Sequence, residues 1–287
     1  MRPFFPFLLS LLIVLACPAY AGPESPKVVV SISPLHNLVS GIMEGAGEPT
    51  LLLPANASPH SHSLRPSDRR MLESADLLIW VGPELEGFLQ RTVQTLPDSV
   101  RNVSLLHDAG LMLLPGREGG IWEYHHHDHD HGGDHDHDHG HTHDHGHAGA
   151  KAPDQQQGLT LDQESDLVQT TGIDAHVWLD PRNAAAMVRH VAAMLIEVDP
   201  GRENLYLANR DRILDRLARL DQELQQRMAP LGTHPFIVFH DAYQYFERRY
   251  GLSPAGSVTL DPSRAPGAQR IREIRQRIVQ EQAICVF

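Results

Sequence analysis

"RENLYLANRDRILDRLARLDQELQQRMAPLG", Arg202 to Gly232, decides the architecture. Ile213, Leu217, Leu220, Leu224, Met228 and Leu231 recur in it at spacings of three and four, the one-sided stripe of an amphipathic helix. A continuous helix over that stretch is about 45 Å long at 1.5 Å per residue. Such a strut is better suited to joining two lobes than to filling one.

The segments on either side fit two α/β lobes. Before the strut, "KVVVSIS" (Lys27–Ser33) reads as a buried strand. A helix follows, with Ser33 as N-cap, Pro34 at N1, and Leu35, Leu38, Val39 and Ile42 on one face. "PTLLLP" (Pro49–Pro54) and "DLLIWVG" (Asp76–Gly82) read as further strands, each followed by a helical stretch, "RPSDRRMLESA" and "PELEGFLQRTVQ". Later, Asp180 and Pro181 form a cap-and-N1 signature ahead of the stripe Val188, Val191, Ala192 and Leu195. After the strut come "PFIVFH" as strand, "DAYQYFERRYG" as helix, "SVTL" as strand, "PGAQRIREIRQRIVQ" as helix and "AICVF" as a last strand. Strand–helix alternation predicts parallel sheets. The expected organisation is therefore a first lobe over 22–201, a linking helix over 202–231 and a second lobe over 232–287 that stops after its third strand.

The first residues, "MRPFFPFLLSLLIVLACPAYAG", carry one cation at Arg2, an apolar run from Phe4 to Ala16, and the small-x-small pattern Ala19-Tyr20-Ala21. That pattern predicts an export signal over 1–21 and a periplasmic protein, since the run is short for a membrane span of about 20 residues. A lipoprotein box at "VLAC" (Val14–Cys17) is the alternative, opposed by the bulk of Leu15. Once Cys17 leaves with the signal, Cys285 stands alone in an oxidising compartment. Together with the mid-strand ending, this leads us to expect that the chain is a fragment.

Of the 287 residues, 24 are Lys or Arg and 36 are Asp or Glu, a net charge of −12. No basic patch suits nucleic acid, and a monomer is expected. Half of the imbalance comes from Asp128, Asp130, Asp134, Asp136, Asp138 and Asp144, inside a tract that also holds twelve of the chain's 20 histidines. These are His125, His126, His127, His129, His131, His135, His137, His139, His141, His143, His145 and His147. Periodicity is absent over 115–172, so the tract is expected to lie on a long disordered loop. Unprotonated imidazoles at such density predict weak capture of several ions. Alternation with Asp argues against an artificial tag, and an inert solvated loop is the other alternative.

Among the remaining histidines, position singles out three. His240 ends the strand "FIVFH" and His60 follows the strand "TLLLP", both on the carboxyl side, where ligands of open α/β sheets bind. His176 precedes the next helix cap, flanked by Asp174 and Asp180. Either carboxylate could orient its imidazole, and Asp241 stands in the same relation to His240. His62 is close enough to His60 to serve as an alternate ligand. With ligands from both lobes, the ion would sit in the cleft between them. Three imidazoles suit Zn²⁺ with an open fourth position, whereas Mn²⁺ prefers more oxygen.

"ASPHSHSLRPSD" (Ala57–Asp68), "ADLLIWVGPELEGFL" (Ala75–Leu89), "DAHVWLDP" (Asp174–Pro181) and "FHDAYQYFERRYGL" (Phe239–Leu252) resemble, in order, the periplasmic zinc-binding component of bacterial ABC zinc importers, the ZnuA type. The resemblance covers about residues 27–287. It implies two α/β lobes joined by a long helix, one tight zinc held by His60, His176 and His240, and a membrane permease as partner. Manganese carriers of this family usually have an acidic residue at the position of His240. Some zinc members have a carboxylate just before the first ligand, where this chain has Pro59. A manganese or nickel carrier is an alternative within the family. Outside it stand a secreted three-histidine zinc hydrolase, against which no HExxH helix or nearby general base is found, and a surface protein that only buffers metal.

Overall fold

The computed structural model describes residues 24–117, 172–232, 234–259, 262 and 265–287. The expected export signal and the histidine tract lie outside these residues.

The first lobe is built on four parallel strands, β1 (Val28–Val30), β2 (Thr50–Leu51), β3 (Leu77–Trp80) and β4 (Arg101–Ser104), in the order β2-β1-β3-β4. Every residue of the central strands β1 and β3 is buried. Central strands of a parallel sheet are covered on both faces, so an unbroken apolar run marks them. Around the sheet lie α1 (Ser33–Ile42), α2 (Pro66–Glu73), α3 (Gly87–Val93), α4 (Leu105–Asp108) and α5 (Pro181–Val198). On α1 Leu35, Val39 and Ile42 of the predicted stripe are buried and Leu38 is half-buried, while the N-cap is Ile32 rather than the expected Ser33. Asp180 caps α5 by accepting from the Arg182 amide at 2.8 Å, with Pro181 in the first turn. The strand β4 and helix α4 were not expected. On β4 only Val103 is buried, so this edge strand carries no hydrophobic pattern to read.

Helix α6 (Glu203–Met228) is the predicted strut, 26 residues flanked by 3-10 turns at Pro200–Arg202 and Ala229–Leu231. It starts as part of the first lobe. Tyr206, Asn209 and Ile213 are buried, and Asn209 donates to the Ile42 and Glu44 carbonyls at 2.9 and 2.8 Å, closing the end of α1. Beyond Ile213 the apolar stripe stays partly open, with Leu220 45% exposed and Leu231 44%. Polar contacts join the helix to the second lobe there. Asp221 pairs with Arg249 and accepts from the Tyr250 hydroxyl at 3.0 Å.

The second lobe contains β5 (Phe236–His240), α7 (Gln244–Tyr250), β6 (Pro254–Thr259) and α8 (Ala268–Gln280). Its two strands are parallel. Val286 adds a parallel bridge to Ile237 on the other side of β5. The two cores are unequal. The first lobe's cluster runs from Val28 to Tyr245, while Ile237, Ala255 and Ile274 are the buried members of the second. Tyr245 sits on α7 yet packs in the first cluster.

Contrary to expectation, the span 115–172 is not loop from its first residue to its last. Pro115 forms an antiparallel bridge with Ile173, and the Gly116 amide donates to the Gly172 carbonyl at 3.0 Å. The chain therefore enters and leaves 118–171 as a paired neck. Asn183 of α5 holds the approach, accepting from the Met112 amide and donating to its carbonyl, both at 2.9 Å.

Candidate metal centre

Three backbone segments carry the histidines that position had singled out. His60 lies in the turn region after β2, exposed, with its amide donating to Ser58 Oγ at 3.3 Å. His176 precedes the 3-10 turn Val177–Leu179 and is 9% exposed. His240 is the last residue of β5, half-buried. The fold brings them together: one ligand atom from each lies within 4.8 Å of the other two. The Nε2 atoms of His176 and His240 are 3.2 Å apart. The rings stand edgewise or tilted, with centroids 5.1 to 5.6 Å apart. Trp178 stands edgewise against His176 at 5.4 Å between centroids.

Asp174 fixes the His176 ring. Its Oδ1 accepts from Nδ1 at 2.8 Å and from the His176 amide at 3.0 Å. A carboxylate only accepts, so Nδ1 carries the proton and the Nε2 lone pair faces the cluster. Asp174→Asn should keep the ring nearby but lose the charged acceptor. Zinc affinity measured by chelator competition should fall about 10- to 100-fold, and an unchanged affinity would remove Asp174 from the site.

The other expected partners are placed differently. Asp180 does not reach His176. Its buried carboxylate caps α5 and is held by Arg182, with Nη2 donating at 2.6 Å. The carboxylate of Asp241 turns to the Arg117 guanidinium. His62 is not among the three converging histidines; its ring stands edgewise on Phe88 at 5.1 Å. Of the histidines outside the tract that were not singled out, His36 meets the Pro49 carbonyl at 2.9 Å and His107 meets Glu84 at 3.1 Å. The tract itself, His125 to His147, lies outside the described residues.

Two features near the strand ends were missed in the sequence. One is Arg117, which reaches Asp241 at 2.5 Å and Glu247 at 2.8 Å. Burial pushes the Glu247 carboxyl up to about 7 and also raises that of Asp241, while the guanidinium holds both down. The other is Glu86, a wholly buried carboxyl that accepts from the Ser31 hydroxyl, the Val81 amide at 3.3 Å and the Gly82 amide at 3.0 Å. It ties the ends of β1 and β3 together. Gly82 has φ +153, and a side chain there would meet Glu84 and Ser104 at 2.9 and 3.0 Å. The only signal for Glu86 was an acid beside apolar neighbours in "PELEGFL".

The family model described as "Zinc-uptake complex component A periplasmic" matches residues 28–287. The chain is 43% identical over 281 residues to the high-affinity zinc uptake system protein ZnuA of Brucella abortus, covering 98% of this chain and 81% of that protein. It is 42% identical over 286 residues to the protein of the same name from Paracoccus denitrificans, covering 100% of this chain and 82% of that one. The periplasmic zinc-binding protein TroA of Treponema pallidum has the same fold, with a TM-score of 0.65 at 19% identity, covering 92% of this chain and 77% of that one. Among the described residues no helix is long and apolar enough to cross a membrane. On its matched length and its identity to these relatives, the chain belongs to the ZnuA family of periplasmic zinc-uptake components.

Proposed function

We propose that this chain is the extracytoplasmic solute-binding component of an ABC zinc importer. In this reading it captures one Zn²⁺ with His60, His176 and His240 and delivers it to a membrane permease. The convergence of three imidazoles from both lobes carries the proposal. Nitrogens 2.0–2.1 Å from a tetrahedral zinc lie about 3.3 Å from one another, and the separation of 3.2 Å between two of them is already close to that. Among the described residues no carboxylate joins the three histidines, and nitrogen donors favour zinc over manganese. Carriage needs no covalent step, and no residue is assigned a catalytic role. The chain acts as a monomer in the periplasm. The twelve histidines from His125 to His147 hold further zinc ions weakly and serve as an accessory.

A competitive titration of Zn²⁺ against Mn²⁺ tests this, on the full chain and on a chain lacking residues 125–147. Both forms should bind one tight zinc that manganese does not displace, and the shortened form should lose only the weak ions. If tight binding disappears with the tract, the cleft is not the site.

A further inference from the structure

The Arg117 guanidinium occupies a position that nothing about metal ligation requires. It belongs to the paired neck of the first lobe, one residue beyond Gly116, whose amide bonds to Gly172. Its two terminal nitrogens nevertheless reach into the second lobe, to Asp241 and Glu247. All three side chains are withdrawn from water, with 15%, 6% and 4% exposure. Asp241 directly follows His240. On the first-lobe side, the same neck leads through Ile173 to Asp174, the acceptor of the His176 ring. A second tie lies beside it. The Tyr245 hydroxyl of α7 accepts from the Leu114 amide at 2.9 Å and donates to the Asp174 carbonyl at 2.8 Å.

We propose that Arg117 is a positioning residue for metal binding, a fork that holds the second-lobe residue His240 in register with the first-lobe residue His176. The inference rests on the zinc-carrier reading above and adds to it a residue that touches no metal. A guanidinium presents donors in a fixed plane and can engage two carboxylates at once, which an ammonium cannot do with the same geometry. Anchored to the neck on one side and to β5 and α7 on the other, it sets the distance between two ligands on different bodies. A charge-only role predicts the opposite sign. Arg117 is a cation beside a cation site, so deleting it would strengthen binding if charge were all it supplied.

The test compares wild type with Arg117→Ala, Arg117→Lys and Val188→Ala. The last is a truncation in the first-lobe core that touches none of these contacts. Zinc dissociation into excess chelator and the visible spectrum of the Co²⁺-loaded protein are measured, with melting of the metal-free protein recorded alongside. In Arg117→Ala, zinc should leave about tenfold faster or more, and the Co²⁺ bands should shift. Arg117→Lys, which keeps the charge, should recover only part of this. Val188→Ala should melt earlier with unchanged dissociation and bands. If Arg117→Ala does not fold, Arg117→Lys alone still tests the proposal, because its dissociation should already be faster than wild type. Dissociation that is unchanged or slower in the arginine variants, with tight zinc in wild type, overturns the role of Arg117 alone. Absence of tight zinc in wild type overturns the carrier reading, and this inference with it.

Discussion

Replacing His240 with alanine should abolish tight zinc binding, lowering affinity by more than the 10- to 100-fold that loss of an outer partner such as Asp174 costs. Three imidazoles converge, and removing one leaves two nitrogen donors for an ion that takes four. His240 is the critical member because it alone comes from the second lobe. Without it, the remaining pair belongs to the first lobe, and binding no longer draws the two bodies together. His176→Ala should weaken binding comparably, and it would also release the Asp174 carboxylate. Isothermal titration of the chain lacking residues 125–147 would show the loss directly. A variant that kept the wild-type affinity would disprove the three-histidine site.

A second large effect is expected on stability, at Glu86. Alanine there strands the Ser31 hydroxyl and the Val81 and Gly82 amides. Each buried donor without an acceptor costs about 1–3 kcal/mol, so the loss should be several kcal/mol under mildly acidic conditions. The size of the loss depends on pH. Burial raises this carboxyl from 4.5 to about 7, so the folded state binds its proton more tightly than the unfolded state. Stability from the neutral acid is fully present below the unfolded value and is lost as pH rises through the folded one. A shift of this size is worth about 3 kcal/mol. Glu86→Ala should therefore cost about 3 kcal/mol more at pH 4 than at pH 8. Glu247, also raised to about 7, is present in both proteins and cancels in the comparison. Urea unfolding at the two pH values provides the measurement. Equal losses would mean that Glu86 titrates near its ordinary value.

How legible each element was follows from where its partners lie. Strands β1 and β3, the stripe of α1 and the Asp180–Pro181 cap are local patterns, and they were readable because a buried strand or a helix face needs only its own residues to declare itself. His240 could be singled out because a strand's carboxyl end is a preferred place for a ligand. β4 could not be read, since a polar edge strand such as "RNVS" has no alternation. On α6 the stripe marked the helix but not how far its burial extends, since Leu220 is 45% exposed and the neighbouring Asp221 pairs with Arg249. Arg117 was least legible. Its partners are 124 and 130 residues away, and at the edge of a histidine tract one arginine looks like any other. Asp180 and Asp241 pair with Arg182 and Arg117, which the sequence could not show, because nearness to a histidine does not say which neighbour a carboxylate will face.

The inequality of the two cores has a consequence for exchange with solvent. A body whose buried apolar cluster, among the described residues, is Ile237, Ala255 and Ile274 is expected to open at lower free energy than one organised around a four-stranded sheet. Amide protons of β5 and β6 should therefore exchange through sub-global openings that leave β1 and β3 protected. Helix α7 should follow the slower body, because Tyr245 is sealed into it. At the proposed site, an ion held by His60, His176 and His240 would stabilise only the folded arrangement that brings them together. It would lend the weaker body the protection of the stronger, so the cargo itself would complete the fold that carries it.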